Sequence, residues 1–254
     1  MGLTATPQRR DGHQPITEMQ LGPVRYTAGR SGPDDGNAFR ARLVVRETRF
    51  RLDAEQAVVP IQAVYRELAA DPARNDLILT DVIHAIDEGR SPILLTERKD
   101  HLAFFAERLR GFVKHLIVLE GGKTEKERRA SGAALAAIPD ADERLVLATG
   151  RYIGEGFDDA RLDTLFLALP ISWKGTLVQY TGRLHRPYPT KTEVRIYDYV
   201  DPAVPMLQKM FERRLRAYRA IGYEQERSVT SARARPRGPV ESAPQLPILP
   251  EKED

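Results

Sequence analysis

The chain has 254 residues, 41% hydrophobic and 30% charged, which is ordinary for a soluble globular protein with room for one large domain or two small ones. It has no cysteine, which excludes disulfides and zinc–thiolate sites, and no apolar run of about 18 residues that would read as a membrane span. Lys and Arg number 39 against 36 Asp and Glu, a formal charge of +3 that does not by itself indicate nucleic acid. The N-terminus lacks the charged-then-apolar pattern of a signal peptide, so a cytoplasmic protein is expected.

In chain order, residues 24–26 and 43–50 read as strands separated by a Gly/Pro/Asp-rich loop at 29–37. Arg25, Arg30, Arg40, Arg42, Arg46, Arg49 and Arg51 crowd this segment against Asp34, Asp35 and Glu47. Residues 61–70 and 77–88 look helical. Residues 93–96 form a short apolar strand, and 99–110 a helix with Leu102, Phe105 (or Ala106) and Leu109 inward. A strand at 116–119 precedes a helix at 124–138, opened by Thr124 as N-cap with Glu127 three residues on. Strands at 144–148 and 165–169, a helix at 174–185, a strand at 194–199 and a helix at 204–220 complete the pattern. The last helix carries a second cationic cluster, Arg213, Arg214, Arg216 and Arg219, of the kind that attracts phosphate backbones or simply faces solvent. Five of the 18 prolines fall in 228–254, which reads as a disordered tail. Strands alternating with helices predict an α/β fold, a mostly parallel sheet sandwiched by helices. The loops after the strands would then line one edge.

Five stretches carry chemistry. Residues 179–186 read Gln-Tyr-Thr-Gly-Arg-Leu-His-Arg. Gln179, Arg183 and Arg186 are spaced i, i+4, i+7, which puts them on one helix face, and Gly182 removes a side chain beside them. Two guanidiniums aimed alike suit a polyphosphate, since each planar fork binds two oxygens; a solvated basic face is the plain alternative. Residues 147–158 read Leu-Ala-Thr-Gly-Arg-Tyr-Ile-Gly-Glu-Gly-Phe-Asp, with Thr149 at a strand end and Gly154 and Gly156 permitting a tight turn. Thr96-Glu97-Arg98 closes one strand. Gly121-Gly122 follows another, with Arg128 beyond, and residues 2–12 begin Gly-Leu-Thr-Ala-Thr-Pro.

Together these stretches resemble the C-terminal RecA-like lobe of superfamily 2 DEAD/DEAH-type helicases, the restriction-enzyme-subunit-like class above all, over roughly residues 90–200 and a few at the start. The octet matches that family's sixth motif, Gln-x-x-Gly-Arg-x-x-Arg. The resemblance implies a P-loop NTPase-type lobe in which Arg183 and Arg186 face the γ-phosphate, one as arginine finger, with Gln179 beside them. The fifth motif implies that Gly156 and Asp158 approach ATP and that the Thr149 hydroxyl holds a nucleic-acid phosphate. Thr96 and Arg98 match the fourth motif. Gly121 and Gly122 resemble a loop that touches the nucleic-acid backbone. Thr4 and Thr6 fall in the third motif, Thr-Ala-Thr-Pro, which couples the two lobes.

No Gly-x-x-x-x-Gly-Lys-Ser/Thr and no Asp-Glu-x-His or Asp-Glu-x-Asp occurs. The resemblance therefore implies a chain cut at the third motif. Its first lobe, which would hold Mg²⁺ with the ATP, is expected before Met1 or on another polypeptide. The partners expected are that lobe and a nucleic acid, DNA first, with no membrane. The isolated chain is expected to be a negligible ATPase, and the alternative is a non-catalytic nucleic-acid-binding module. Residues 1–57 would be a remnant of the first lobe and linker, 58–225 the RecA-like domain, and 226–254 the tail. In the remnant, Leu3, Ile16, Met19, Leu21, Val24, Leu43, Val44 and Val45 would lack their usual partners, leaving that region less ordered than 90–222.

Two imitations are set aside. Gly121-Gly122-Lys123-Thr124 resembles the end of a phosphate loop, but Ile117 stands where its first glycine belongs. Met1-Gly2 with Thr6 resembles an acylation signal but lies inside the third-motif match. His13, His84, His101, His115 and His185 lack metal-ligand spacing and read as structural, so no metal site is expected.

Overall fold

The structure, a computed structural model, describes residues 39–52, 60–150, 159–171 and 174–226, together with residues 19, 20, 22 and 152. The strand at 24–26, the tail at 228–254, and Thr4, Thr6, Gly156 and Asp158 lie outside the described residues.

Thirteen elements follow in order: β1 (Arg40–Glu47), α1 (Ile61–Ala70), α2 (Pro72–Asp87), β2 (Pro92–Thr96), α3 (Lys99–Leu109), β3 (His115–Leu119), α4 (Glu125–Ala136), β4 (Arg144–Thr149), β5 (Thr164–Leu167), α5 (Lys174–Leu184), β6 (Glu193–Val200), α6 (Pro205–Ala220) and β7 (Glu224–Glu226). The strands form one seven-stranded sheet, β3-β4-β2-β5-β6-β1-β7, parallel throughout. The sheet and helices from residue 60 onward match the sequence pattern closely. Thr124 makes the expected capping box, its hydroxyl accepting from Glu127 N while the Glu127 carboxylate accepts from Thr124 N. Helix α2 begins five residues before the apolar pattern does, because Asp71 accepts from Arg74 N and Pro72 fits the first turn.

Both faces of the sheet are dry. Ile93, Leu95, Val146, Ala148, Leu165 and Ile196 point to a core closed by α4, α5 and α6. Their neighbours Leu94, Leu145, Leu147 and Phe166 point the other way, to a core closed by α2 and α3. A third, smaller core lies beyond the strand ends. There Val64, Tyr65 and Leu68 of α1 meet Phe50, Leu169, Val204 and Leu207, each of which follows or caps a strand exit.

One expectation is corrected here. Leu43, Val44 and Val45 are not orphans of a missing lobe. They belong to β1, which pairs with β6 along eight positions from Arg40↔Glu193 to Glu47↔Val200 and then receives β7. Leu43 is fully buried in the main core. β6 offers an open parallel edge, and a segment with apolar residues on both faces fills it. The lobe's sheet therefore starts at Arg40, ahead of the boundary expected at 57/58.

The basic clusters are corrected in part. Arg214 is 5% exposed and forks onto Asp198, with Nε–Oδ2 2.7 Å and Nη2–Oδ1 2.8 Å, while Tyr218 donates to the same carboxylate at 2.9 Å. Arg46 pairs with Asp81 at 2.9 Å, and Arg42 with Glu193 at 2.9 Å and with Glu226. Arg213, Arg216 and Arg219 remain on the exposed face of α6. Arg74, also buried, donates to Asp201 at 3.1 Å and to the Ala168 carbonyl at 2.5 Å. His101, read as structural, is so: Nε2–H donates to Asn75 Oδ1 at 2.9 Å and Nδ1 accepts from the Thr96 hydroxyl at 3.1 Å. Burial, seconded by Arg74, pushes its pKa from 6.5 down to about 3.

Two outcomes follow. Arg214→Leu leaves Asp198 buried without its cation and should cost about 3–5 kcal/mol in denaturant unfolding, against less than about 0.5 kcal/mol for Arg213→Leu; equal losses would deny Asp198 its structural weight. His101 folds neutral, so the unfolded chain binds the extra proton between pH 6.5 and about 3. Its contribution is complete above pH 6.5 and fades as the pH falls toward 3. His101→Gln should flatten that part of the stability–pH curve, and an unchanged curve would refute the assignment.

Candidate functional site

All strands run the same way, so every functional loop must leave from the carboxyl edge. That edge is divided. Over the exits of β1, β5 and β6 it is roofed by α1, and the Tyr65 hydroxyl donates to the Pro170 carbonyl at 2.7 Å just ahead of α5. Over the exits of β2 and β3 the loops carry exposed residues: Glu97, Gly122, Lys123 and Thr124.

Three of the predicted stretches meet at one glycine. A Cβ placed on Gly150, the residue after β4, would lie 2.4 Å from Glu97 Oε1 and 2.4 Å from the Tyr180 hydroxyl. Glu97 belongs to the loop after β2 and Tyr180 to the buried side of α5, beside Leu177 and Leu184. Burial, and secondarily the Glu97 carboxylate, push the Tyr180 phenol well above its ordinary range, so it stays a neutral donor. The Thr149 hydroxyl accepts from Gly121 N–H at 2.8 Å, which ties the exit of β4 to the loop after β3. Lys99 and Glu120, 2.5 Å apart, bridge the loops after β2 and β3.

The predicted residues separate into groups. Gln179 and Gly182 are exposed on α5 and Arg183 is half-buried; Arg186 is exposed in the turn beyond Leu184, where α5 has already ended, so helical spacing does not set its direction. A Cβ at Gly182 would meet nothing within 4 Å; no packing inside the described residues calls for this mid-helix glycine, and the approach over it is open. Gly122 is exposed in a turn with φ +93°, where glycine is favoured. Gly121 is buried. Thr96 is corrected: it is 2% exposed, bonded to His101 and accepting from Arg98 N at 3.4 Å, so it props the loop rather than reaching out from it. Arg98 is partly exposed but forked onto Asp100, which it holds below the usual carboxylate range. Among the described residues no group of three or more His, Asp or Glu could hold a metal ion, and no helix is long and apolar enough to cross a membrane.

Lys191 carried no sequence signal. It is 7% exposed, and its Nζ donates to the Leu184 and Arg186 carbonyls, each at 2.9 Å, closing the C-terminal end of α5. Burial drives its pKa from 10.5 down to about 8, against the pull of Asp163 and Asp159. The neighbouring His185 is held between Phe39, in an edge contact of 5.7 Å, and the Tyr223 hydroxyl at 3.0 Å; burial and then Lys191 push its pKa down. Tyr223 lies three residues after α6 and Phe39 just before β1. The turn carrying Arg186 is thus gripped by parts of the chain far from it in sequence.

Gly150→Ala should cost about 1–3 kcal/mol, because Glu97 can swing aside but the buried Tyr180 ring cannot. Much of that loss should return in a Tyr180→Phe background, and strictly additive losses in a double-mutant cycle would refute the contact.

No family model matches the chain. The transcript termination protein A18 of vaccinia virus (strain Ankara) is 27% identical over 127 residues, 48% of this chain and 25% of the relative. The monkeypox virus transcript termination protein OPG145 is 26% identical over the same length. The chain thus spans about a quarter of the length of these curated relatives. Among solved structures, T4 UvsW aligns with a TM-score of 0.57 at 15% identity, over 75% of this chain and 41% of that one. Yeast (S. cerevisiae) Dbp5 bound to RNA and ADP BeF3 aligns with a TM-score of 0.53 at 10% identity, over 86% and 49%. With its parallel sheet, its helices on both faces and these likenesses, the chain has a RecA-like α/β fold shared with these solved structures.

Proposed function

We propose that this chain serves as the second lobe of an ATP-dependent nucleic-acid helicase or translocase. The observation that carries the reading is the convergence of the loops after β2 and β4 with α5 at Gly150, beside Gln179, Arg183 and Arg186. Two planar cations next to an open glycine fit the oxygens of a polyphosphate. The group they fit is ATP with Mg²⁺, which supplies the phosphoanhydride bond whose cleavage drives the motion. Arg183 and Arg186 would set fixed positive charge where negative charge develops, one of them as arginine finger, and Gln179 would orient beside them. Gly156 and Asp158, and Thr4 and Thr6 as couplers of the lobes, are assigned on motif resemblance alone. The cation and the phosphate loop belong to the first lobe, supplied in cis or in trans.

Nucleic acid would lie along the open half of the edge. Gly121 N–H is already given to Thr149, so the amides of the exposed Gly122 turn and the Lys123 ammonium are the donors left for a phosphate backbone. Arg98 would join them only by leaving Asp100. The Thr149 hydroxyl, having accepted one bond, retains a proton to donate. Such binding is sequence-tolerant and salt-sensitive. Similarity to viral transcript termination proteins and to a structure bound to RNA supports a nucleic-acid partner, and DNA and RNA are both to be assayed. The runner-up, a binding module without catalysis, is weakened by Arg214, which the α6 cationic face loses to Asp198.

In a two-lobe protein, Arg183→Ala or Arg186→Ala should lower kcat by about 10³–10⁵ for the finger residue, while affinity for a single strand at fixed salt falls less than about tenfold. Equal losses in both would favour the binding module. Alone, the chain should hydrolyse ATP far below about 1 s⁻¹, and a turnover above that would overturn the reading.

A further inference from the structure

We infer that Lys191 is a positioning residue that clamps the end of α5 and thereby sets where Arg183 and Arg186 point. This rests on the nucleotide reading above only for what the arginines face. The clamp itself is read from geometry. A helix ends with carbonyls that have no partner within the helix, and a fraying last turn would let anything mounted on it swing. Here one ammonium holds the last helical carbonyl, Leu184 O, and that of Arg186 in the turn beyond it, both at 2.9 Å. Leu184 follows Arg183 directly, and the second carbonyl is that of Arg186, so the two arginines sit on backbone that Lys191 holds.

The rest of the turn is arranged around it. Arg186 N donates to Arg183 O at 3.4 Å, His185 N to Thr181 O at 3.1 Å, and Lys191 N to Tyr188 O at 3.0 Å. The Lys191 ammonium lies 5.8 Å over the Phe39 ring, and the same ring meets His185. A positive charge at this end also answers the helix dipole.

Burying that charge costs stability. Lys191 binds its proton less tightly folded than unfolded, so between about pH 8 and 10.5 the unfolded chain holds more protons and stability rises with pH. At neutral pH the ammonium is therefore retained at a cost that a neutral or apolar side chain would avoid. Set against that cost are the two carbonyls that the ammonium holds beneath a pair of guanidiniums. The charged and titratable groups around it are Asp159 and Asp163 before β5, the latter 3.6 Å from Arg90, with His185 on α5's end and Tyr223 after α6. Burial lowers His185 away from the window and raises Tyr223 above it.

The experiment uses the full chain, labelled for carbon-detected NMR of arginine Nε–Cζ groups, with Arg183→Lys and Arg186→Lys variants to assign the two signals. Guanidiniums do not titrate between pH 7 and 9.5, so any pH dependence in their signals is borrowed from another group. Both signals should move with a midpoint near 8, together with the Lys191 Cε signal. In Lys191→Arg, which stays charged, they should be flat and close to their pH 7 positions. In Lys191→Met they should collapse toward freely rotating values at every pH, while the amide signals of α2 and α3 stay put. Arginine signals that ignore the Lys191 titration would overturn the proposal. The Lys191→Arg comparison decides the matter even if Lys191→Met does not fold.

Inorganic tripolyphosphate added at pH 7 then separates the two readings. It should shift both arginine signals and bind roughly fivefold more weakly to Lys191→Met. Arginine signals that follow Lys191 but ignore tripolyphosphate would uphold the clamp and remove the nucleotide assignment.

Discussion

A sheet buried on both faces governs this molecule. With α4, α5 and α6 on one side and α2 and α3 on the other, no polar group can survive between strands unless it finds a partner. Three buried carboxylates meet cations and hydroxyls: Asp198 with Arg214 and Tyr218, Asp201 with Arg74 and Thr48, Asp81 with Arg46 and Tyr199. These pairs gather on β6 and its exit, where the sheet meets α2 and α6. Buried ion pairs of this kind add little net stability, but they punish any packing that separates them. They hold α2 and α6 in register on the sheet.

The same constraint sends all chemistry to the strand exits. The carboxyl edge is shared between structure and function. Helix α1 roofs the exits of β1, β5 and β6, and its Tyr65 steadies the Pro170 carbonyl ahead of α5. The loops after β2 and β3 carry exposed residues, and the exits of β2, β3 and β4 are tied together by Thr149 with Gly121, by Lys99 with Glu120, and by close approach at Gly150. Beside them α5 buries Leu177, Tyr180 and Leu184 and presents Gln179 and Gly182, with Arg186 exposed in the turn that follows. One helix therefore fastens the open half of the edge on one face and offers it cations on the other.

Much of this was legible beforehand for a definable reason. The apolar runs at β2, β4 and β5 are continuous because those strands are central and dry, and helix α4 announces itself through the Thr124–Glu127 box. The outward face of α5 follows from spacing alone, since 3.6 residues per turn decide which side chains share a side. What misled was context. Leu43, Val44 and Val45 have the character of a strand, but nothing local says which sheet will take them. Arg214 looks like its neighbours Arg213 and Arg216 until the turn of α6 points it at Asp198. Thr96 sits in a motif position, yet the helix that follows brings His101 back to claim its hydroxyl.

By itself the sequence determined the alternation of strands and helices, the placing of the motif stretches at strand ends and on one helix face, and the absence of a phosphate-loop signature, because these depend on period, local capping and residue type. Only the tertiary structure decided that β1 completes this lobe's sheet, that Gly150 must be a glycine, and that Lys191 closes the helix carrying the arginines. Each of those is a meeting of residues far apart along the chain, set by a sheet order that interleaves early and late strands, and no local pattern encodes the distance between them.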